Sequence, residues 1–268
     1  MDSLSAHPAP PPVAEPGAGD PNFMTSLARG LTILRACASY AREWTIPQLS
    51  ADTGIPRAAV RRVLYTLTQL GYARPQGRGY VLLPRVLGLA SAYSSASSIV
   101  DRAQPLLDRL RDEVSESCSL GVLDGDDLLY VARAETVRIM SIGLNKGSRL
   151  PAYCTSMGRV LLADLPADTL AGYLERIPLR PRTEYTETDG ERFHRLIEQV
   201  QKDGYALHDQ ELEIGLRSIA VPVRDGAGAV VAAMNVGSTT ARISRDDLLV
   251  KILPALRSVA AELERMTA

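Results

Sequence analysis

Four arginines have the residue type and spacing that nucleic-acid binding requires. Arg57, Arg61 and Arg62 belong to one predicted helix, and Arg78 lies in a turn shortly after it. The planar guanidinium fork binds phosphate, or the O6 and N7 acceptors of guanine. The sequence leaves open which arginine positions the DNA backbone and which reads a base.

The segment from residue 45 to residue 82 supplies the elements that would present these arginines to DNA. Thr45 is suited to cap a first helix, and Gly54 to end it in a left-handed conformation. From Arg57 onward, apolar residues recur every three or four positions, which places the arginines on the opposite helix face. Two β-type segments then flank a turn at 76–79. This order predicts a winged helix-turn-helix whose second helix enters a major groove about 12 Å wide.

The distribution of charge separates this interpretation from that of an ordinary helical domain with a basic surface. Residues 22–85 contain nine arginines against Glu43 and Asp52, a net charge of +7. The whole chain carries −1, so the other residues sum to −8. A basic block in an otherwise acidic protein is typical of nucleic-acid binding.

The 268-residue chain, 46% of it hydrophobic, is long enough for two domains with sizeable cores. Its first 22 residues are rich in proline, alanine and glycine and are predicted to form a disordered tail. The winged helix-turn-helix is expected over 23–83 and a linker helix over 84–98. The second domain then occupies 99–268.

Periodicity predicts the remaining elements and an α+β fold for the second domain. A first helix at 26–40 is expected to place Leu27, Leu31, Leu34 and Ala38 on one face. In the second domain, helices are predicted at 99–117, 156–164, 166–177, 189–203 and 244–266. Strands are predicted at 119–123, 128–133, 137–143, 218–223 and 229–236.

Composition argues against several other classes of protein. No apolar run is long enough to span a membrane and the N-terminus lacks the features of a signal peptide, so a cytoplasmic location is expected. The three cysteines and three histidines show no metal-ligand spacing, and we expect neither a metal nor a cofactor.

Three stretches of the second domain depart from simple core patterning. Residues 147–159 are dense in hydroxyls and glycines before a helix start that favours an anion, and Arg149 would add a full charge. His208 opens a polar run that leads into a strand. Asn235 places an amide in an apolar strand, where it needs either a structural hydrogen bond or a ligand. Together they predict a small anionic ligand, although Arg149 also fits a surface position.

Two other functions remain as alternatives. Cys154 or Ser156 beside His208 would make the protein an enzyme acting on an aromatic acid, with a DNA-binding domain appended. No nucleophile elbow, metal motif or phosphate loop supports that interpretation, so no catalytic residue is assigned. The third hypothesis is a structural DNA-binding protein without a ligand.

Several long motifs carry a family resemblance. The segments FMTSLARGL, IPRAAVRR, RLPAYCTSMGRVLLA and GYALHDQELEIGLRSIAVPV occur in this order. Over residues 23–266 the chain resembles the IclR family of transcriptional regulators, and within it the chain is similar to the PcaR, PcaU and PobR subgroup of the β-ketoadipate pathway.

The resemblance implies a one-component regulator with a GAF-like effector-binding domain, acting as a homodimer or a dimer of dimers on double-stranded palindromic operator DNA. It also implies control of aromatic-acid catabolism, usually as an activator, with β-ketoadipate, protocatechuate or 4-hydroxybenzoate as the effector. Carried over by position, the effector pocket would comprise Ile142, Leu150, Ser156, Met157, His208, Leu216, Ser218, Asn235 and Gly237. Arg149 is added to this set as a carboxylate partner.

Overall fold

A computed structural model describes residues 20–38, 43–89, 98–136 and 144–267 of the chain. The chain divides into two compact units, residues 1–95 and 96–268. Most of the predicted tail and much of the predicted linker helix lie outside the described residues, as does the strand predicted at 137–143.

The N-terminal unit has the three helices and the hairpin that the sequence predicts. Its helices are α1 (Thr25–Ala38), α2 (Ile46–Thr53) and α3 (Arg57–Gln69), its strands are β1 (Ala73–Gln76) and β2 (Gly79–Leu82), and a 3₁₀ turn follows at Pro84–Val86. β1 and β2 pair in antiparallel fashion, with Gln76 opposite Gly79. The winged helix-turn-helix is therefore confirmed.

Local signals fix the turn between α2 and α3. The Thr45 hydroxyl accepts a hydrogen bond from the backbone N–H of Gln48, whose side-chain oxygen in turn accepts one from the backbone N–H of Thr45. Gly54 ends α2 with a φ of 71°, in the left-handed region that favours glycine. Trp44 exchanges two backbone hydrogen bonds with Tyr80 and so ties the wing to the chain entering α2.

The buried face of α1 differs from the one expected. Leu27 and Leu31 are exposed, whereas Ile33, Ala36 and Cys37 pack in the core of the unit. The helix is apolar on two faces, so a period of 3.6 residues does not by itself decide which face points inward.

The C-terminal unit is built on a six-stranded antiparallel sheet in the order β5-β4-β3-β8-β7-β6. Its strands are β3 (Ser117–Asp124), β4 (Asp127–Ala134), β5 (Arg149–Pro151), β6 (Ala206–Asp209), β7 (Leu216–Arg224) and β8 (Val230–Thr239). The two predicted hairpins are confirmed, whereas the short strands β5 and β6 were not predicted from the sequence.

Helices cover both faces of this sheet. One face packs against α4 (Ser98–Val114) and the C-terminal helix through side chains such as Leu120, Ile219 and Met234. The other face packs against α5 (Ser156–Ala163), and α6 (Ala167–Arg176) and α7 (Gly190–Asp203) lie beyond it. Successive strand residues alternate between these faces, so each strand contributes to both cores.

The predicted closing helix is interrupted. It comprises a short helix α8 (Arg245–Asp247), a π-helical turn at Leu248–Ile252, and α9 (Leu253–Thr267). Pro254 has no N–H to donate to the preceding turn, which accounts for the irregular hydrogen bonding there. Across the described ranges, none of the helices combines the length and apolarity needed to cross a membrane.

Candidate nucleic-acid interface and effector site

All four arginines predicted to bind DNA are exposed in the N-terminal unit. Arg57, Arg61 and Arg62 lie on the first turns of α3, and Arg78 lies at the tip of the turn between β1 and β2. Val60 and Leu64 hold the opposite face of α3 in the core. In the described part of the chain no carboxylate pairs with these four guanidinium groups, so their charge remains available to phosphate or to base edges.

The C-terminal unit contains a cavity of about 30 Å³ between the sheet and the start of α5. Polar and apolar side chains share its wall. Its lining residues are Ser117, Tyr130, Arg133, Leu144, Cys154, Thr155, Ser156, His208, Leu212, Leu216, Ser218, Asn235 and Gly237. This volume is small for an organic ligand, so we expect a larger ligand to require a wider arrangement of the wall.

Strand register explains why the floor of this cavity is polar. One row of paired residues crosses the sheet from Ser117 through Gly237 and Ser218 to His208. Because paired residues of antiparallel strands project to the same face, the small residues of this row leave open space beneath α5. The Ser156 hydroxyl reaches down from α5 to lie 2.9 Å from that of Ser218.

Two buried polar atoms in the cavity wall have no hydrogen-bond partner among the described residues. They are Nε2 of His208 and Oδ1 of Asn235, both on residues that are more than nine-tenths buried. Leaving such an atom without a partner costs about 1–3 kcal/mol, so a buried pair of this kind indicates a bound water or ligand.

His208 is held neutral by its surroundings. Burial, and secondarily the charge of Arg159, keep the pKa of the imidazole well below its ordinary value. Its Nε2 lies 3.5 Å from Oε1 of Glu211, but that carboxylate is already engaged by the Arg159 guanidinium at 2.8 and 2.5 Å. Arg133, Tyr130 and the Cys154 thiol line the same cavity. The site therefore presents a neutral imidazole to a ligand.

The unpaired imidazole predicts a pH dependence of stability. Below about pH 6.5 the unfolded chain takes up a proton at His208, whereas the folded chain does not. The free energy of unfolding therefore decreases as the pH is lowered, by at most about 1.4 kcal/mol per pH unit. In His208→Gln this contribution should vanish. Urea unfolding of both proteins between pH 7.5 and 5.5 measures the difference, and parallel pH profiles would contradict a neutral buried imidazole.

Six of the ten residues predicted for the effector site line this one cavity. They are Ser156, His208, Leu216, Ser218, Asn235 and Gly237. Leu150 and Met157 lie behind the wall instead, buried in the apolar cluster that includes the lining residues Tyr130 and Leu144. Ile142 lies outside the described residues.

The position of Arg149 contradicts its predicted role as the partner of the effector carboxylate. Its guanidinium pairs with the carboxylates of Asp124 and Asp127 and donates to the Asp124 carbonyl at 2.7 Å, so it closes the turn between β3 and β4. Among the described residues, the arginine that lines the cavity is Arg133.

Family comparisons agree with both units. The IclR helix-turn-helix domain matches residues 26–77, and the C-terminal domain of the bacterial transcriptional regulator IclR matches residues 91–265. The chain belongs to the IclR family.

Individual members of the family are also similar to the chain. The Pca regulon regulatory protein of Pseudomonas putida is 49% identical over 97% of this chain and 91% of its own. The p-hydroxybenzoate hydroxylase transcriptional activator of Acinetobacter baylyi is 35% identical over 91% of this chain and 92% of its own. The solved inducer-binding domain of an Acinetobacter PobR double mutant in complex with 3-hydroxybenzoic acid is 36% identical, with a TM-score of 0.58, over 60% of this chain and 95% of its own.

Several lining residues of this IclR-family protein were not predicted from its sequence. They are Ser117, Tyr130, Arg133, Leu144, Thr155 and Leu212. Thr155 was detectable, because its side chain accepts the N–H of Gly158 and so caps α5. The others depend on which strands pair and in which register, which a single sequence does not reveal.

The cavity of this IclR-family protein does not hold an activated thiol. The Cys154 thiol donates weakly to the Pro151 carbonyl at 3.7 Å, and burial raises its pKa to about 12. A thiol with that pKa carries almost no thiolate at neutral pH, and the thiolate is the nucleophile. The geometry therefore fits a binding site better than the Cys154 enzyme hypothesis.

Proposed function

We propose that this protein is a DNA-binding transcriptional regulator of aromatic-acid catabolism that responds, as an activator, to a small carboxylate effector bound in its C-terminal unit. The observation that carries the proposal is the cavity wall, in which two buried polar atoms, His208 Nε2 and Asn235 Oδ1, have no partner among the described residues. The names of the two relatives and the hydroxybenzoate complex of the third support the ligand class.

Regulation would follow from a shift between two populations of the protein. An aromatic acid needs more room than the cavity of about 30 Å³ offers, so it would stabilise an arrangement with a wider cavity. A homodimer or a dimer of dimers bound to a palindromic operator in the cytoplasm would present its two recognition helices differently in the two arrangements. The exposed Leu27 and Leu31 on α1 provide apolar surface suited to a contact between copies.

The proposal predicts thermal stabilisation of the full chain by one member of a defined panel: β-ketoadipate, protocatechuate, 4-hydroxybenzoate and muconate. At a concentration 100 times its dissociation constant, a ligand of the folded state adds about 2.7 kcal/mol, which corresponds to a rise of roughly 5–10 °C in Tm for a unit of this size. The same acid should change the affinity of the protein for its operator.

Product analysis of the same samples distinguishes the proposal from its alternatives. Stabilisation with the acid recovered unchanged supports a sensor, whereas turnover of the acid would establish the enzyme hypothesis. No thermal shift with any carboxylate would favour a structural DNA-binding protein. 4-Hydroxybenzyl alcohol, which keeps the ring and its hydroxyl but has no carboxylate, is the matched control and should raise Tm much less than the acid.

A further inference from the structure

Arg133 provides positive charge at one end of the cavity. It lies on β4 directly opposite Ser119 of β3, and its side chain is only 10% exposed. Its Nη1 donates to the Ser119 hydroxyl at 3.0 Å, and its Nε donates to Glu135 at 2.8 Å. Its Nη2 makes no hydrogen bond to a described residue, which leaves that nitrogen available to donate to a carboxylate.

The ion pair between Arg133 and Glu135 leaves the guanidinium able to bind a second anion. The Glu135 side chain is 54% exposed, so solvent screens the ion pair and its net contribution is small. A carboxylate entering the buried cavity would meet the guanidinium in a lower dielectric, where the same attraction is stronger. Among the described residues Arg133 is the only arginine or lysine that lines the cavity.

His208 lies at the other end of the cavity from Arg133. It belongs to β6, which is four strands away from β4 in the sheet order, a separation of roughly 19 Å between backbones at the usual spacing. The two side chains therefore face opposite ends of a small cavity. Asn235 lies between them, because it pairs with Ser119 on one side and with Ala220 on the other.

The chemistry of the two ends differs. The His208 end presents a neutral imidazole, and the charges of Glu211 and Arg159 beside it are paired with each other, so neither is free to hold a carboxylate. A ligand hydroxyl can accept a hydrogen bond from His208 Nε2 when that nitrogen carries the imidazole proton, and it can donate its own proton to Asn235 Oδ1. A hydroxyl therefore matches both unpartnered atoms.

We propose that Arg133 binds the carboxylate of the effector, while His208 and Asn235 bind a hydroxyl at its opposite end. This inference rests on the proposed function and narrows its ligand to the hydroxybenzoate class. It assigns to Arg133 the role that the sequence suggested for Arg149.

Calorimetric titration of the full chain tests the assignment with two pairs of probes. 4-Hydroxybenzoate and protocatechuate are each compared with the corresponding amide, which keeps the ring and hydroxyls but has no charge. Changing Arg133→Gln together with Glu135→Gln removes the cation without leaving an unpaired carboxylate. This double variant should lose affinity for the acids about 10- to 100-fold, and affinity for the amides should change much less.

Two further variants test the role of Arg133 if the double variant does not fold. Arg133→Lys retains the charge without the fork, so it should bind the acids more weakly than the wild type yet still prefer them to the amides. Arg149→Gln, which alters an arginine outside the cavity, should leave every affinity unchanged. Retained operator binding and an unchanged far-ultraviolet circular dichroism spectrum show that each variant is folded.

The hydroxyl end is tested with benzoate as the probe. His208→Leu should reduce the preference of the wild type for 4-hydroxybenzoate over benzoate, because one of the two partners of the hydroxyl is gone and only Asn235 remains. A preference for β-ketoadipate that grows as pH falls would indicate a second carboxylate on a protonated His208, and would overturn this half of the assignment.

The outcomes for the two proposals are distinguishable. If the wild type binds none of the acids, the effector class under the proposed function is wrong, and this inference is wrong with it. If the wild type binds an acid and the Arg133 variants keep the same ratio of acid to amide affinity, the assignment of Arg133 alone is overturned.

Discussion

Operator affinity is expected to fall by about 100-fold or more when Arg57, Arg61 and Arg62 are changed together to Gln. The three side chains are exposed on α3 and have no ion pair within the described residues, so little folding stability depends on them. In the homodimer proposed above, each substitution would act twice on a palindromic operator. If one arginine–base contact worth about 1–3 kcal/mol is lost in each half-site, the sum is enough for a loss of operator affinity of about 100-fold.

Fluorescence anisotropy with a labelled operator duplex, selected from random sequences, measures this loss across a salt series. The slope of log affinity against log salt should decrease by about 0.9 for each phosphate contact removed. Arg192→Gln combined with Arg195→Gln is the control, because both arginines are exposed on α7 of the other unit. An equal loss in that control, or an unchanged salt slope, would contradict the proposed interface.

Single substitutions within the same set separate base reading from backbone contact. If Arg61 reads a base, Arg61→Gln should weaken the selected operator more than random DNA and relax the preference at one position. Equal weakening of both duplexes would identify Arg61 as a phosphate contact.

The DNA-binding unit could be predicted from sequence because its determinants are local. The capping pair Thr45 and Gln48 lies three residues apart, and Gly54 acts through its own φ angle. The alternation of Val60 and Leu64 with exposed arginines is complete within a single helix. Signals of this range are visible in any window of 10 to 15 residues. Only the choice of buried face on α1 needed the tertiary structure.

The effector site was only partly predictable because its residues meet through strand register. Tyr130 and Arg133 are three residues apart on β4, so simple alternation would place them on opposite faces of the sheet. A register shift between Leu120 and Gly121 of the neighbouring strand inserts one extra residue into β4 and brings both side chains into the cavity. No property of the β4 sequence by itself reveals this bulge.

Arg149 shows the opposite error. Its position beside the hydroxyl-rich segment in the sequence predicts a site residue, yet β5 carries it to the outer end of the sheet, next to Asp124 and Asp127. Residues adjacent in sequence to a helix start need not face the same space, because alternate strand residues point to opposite faces. Proximity along the chain was a weaker guide than the positions supplied by the family resemblance.

Breaking the Arg159–Glu211 ion pair is expected to cost the C-terminal unit about 3–5 kcal/mol of unfolding free energy. Arg159 is 3% exposed, donates through both Nη atoms to the carboxylate, bonds through Nε to the Tyr153 carbonyl at 3.1 Å, and lies over the Phe193 ring. Arg159→Met keeps the side-chain length but leaves Glu211 buried without a cation. Glu211 precedes the cavity residue Leu212, so the loss also loosens the wall around the effector.

The design of this measurement follows from the position of the single tryptophan. Trp44 lies in the DNA-binding unit, so its fluorescence reports the unfolding of that unit and serves as an internal control, while circular dichroism follows the whole chain in urea. The double variant Arg159→Met with Glu211→Met should recover most of the loss, because a buried pair replaced by apolar groups costs far less than one left broken.

Arg159→Met should also let His208 take up a proton more readily, since the cation that lowers its pKa is gone and the Glu211 anion remains. The difference in stability between pH 7.5 and 5.5 should therefore shrink or reverse in the single variant and return in the double. A double variant as unstable as the single one, or an unchanged pH profile, would show that Arg159 acts through packing against Phe193 rather than through its charge.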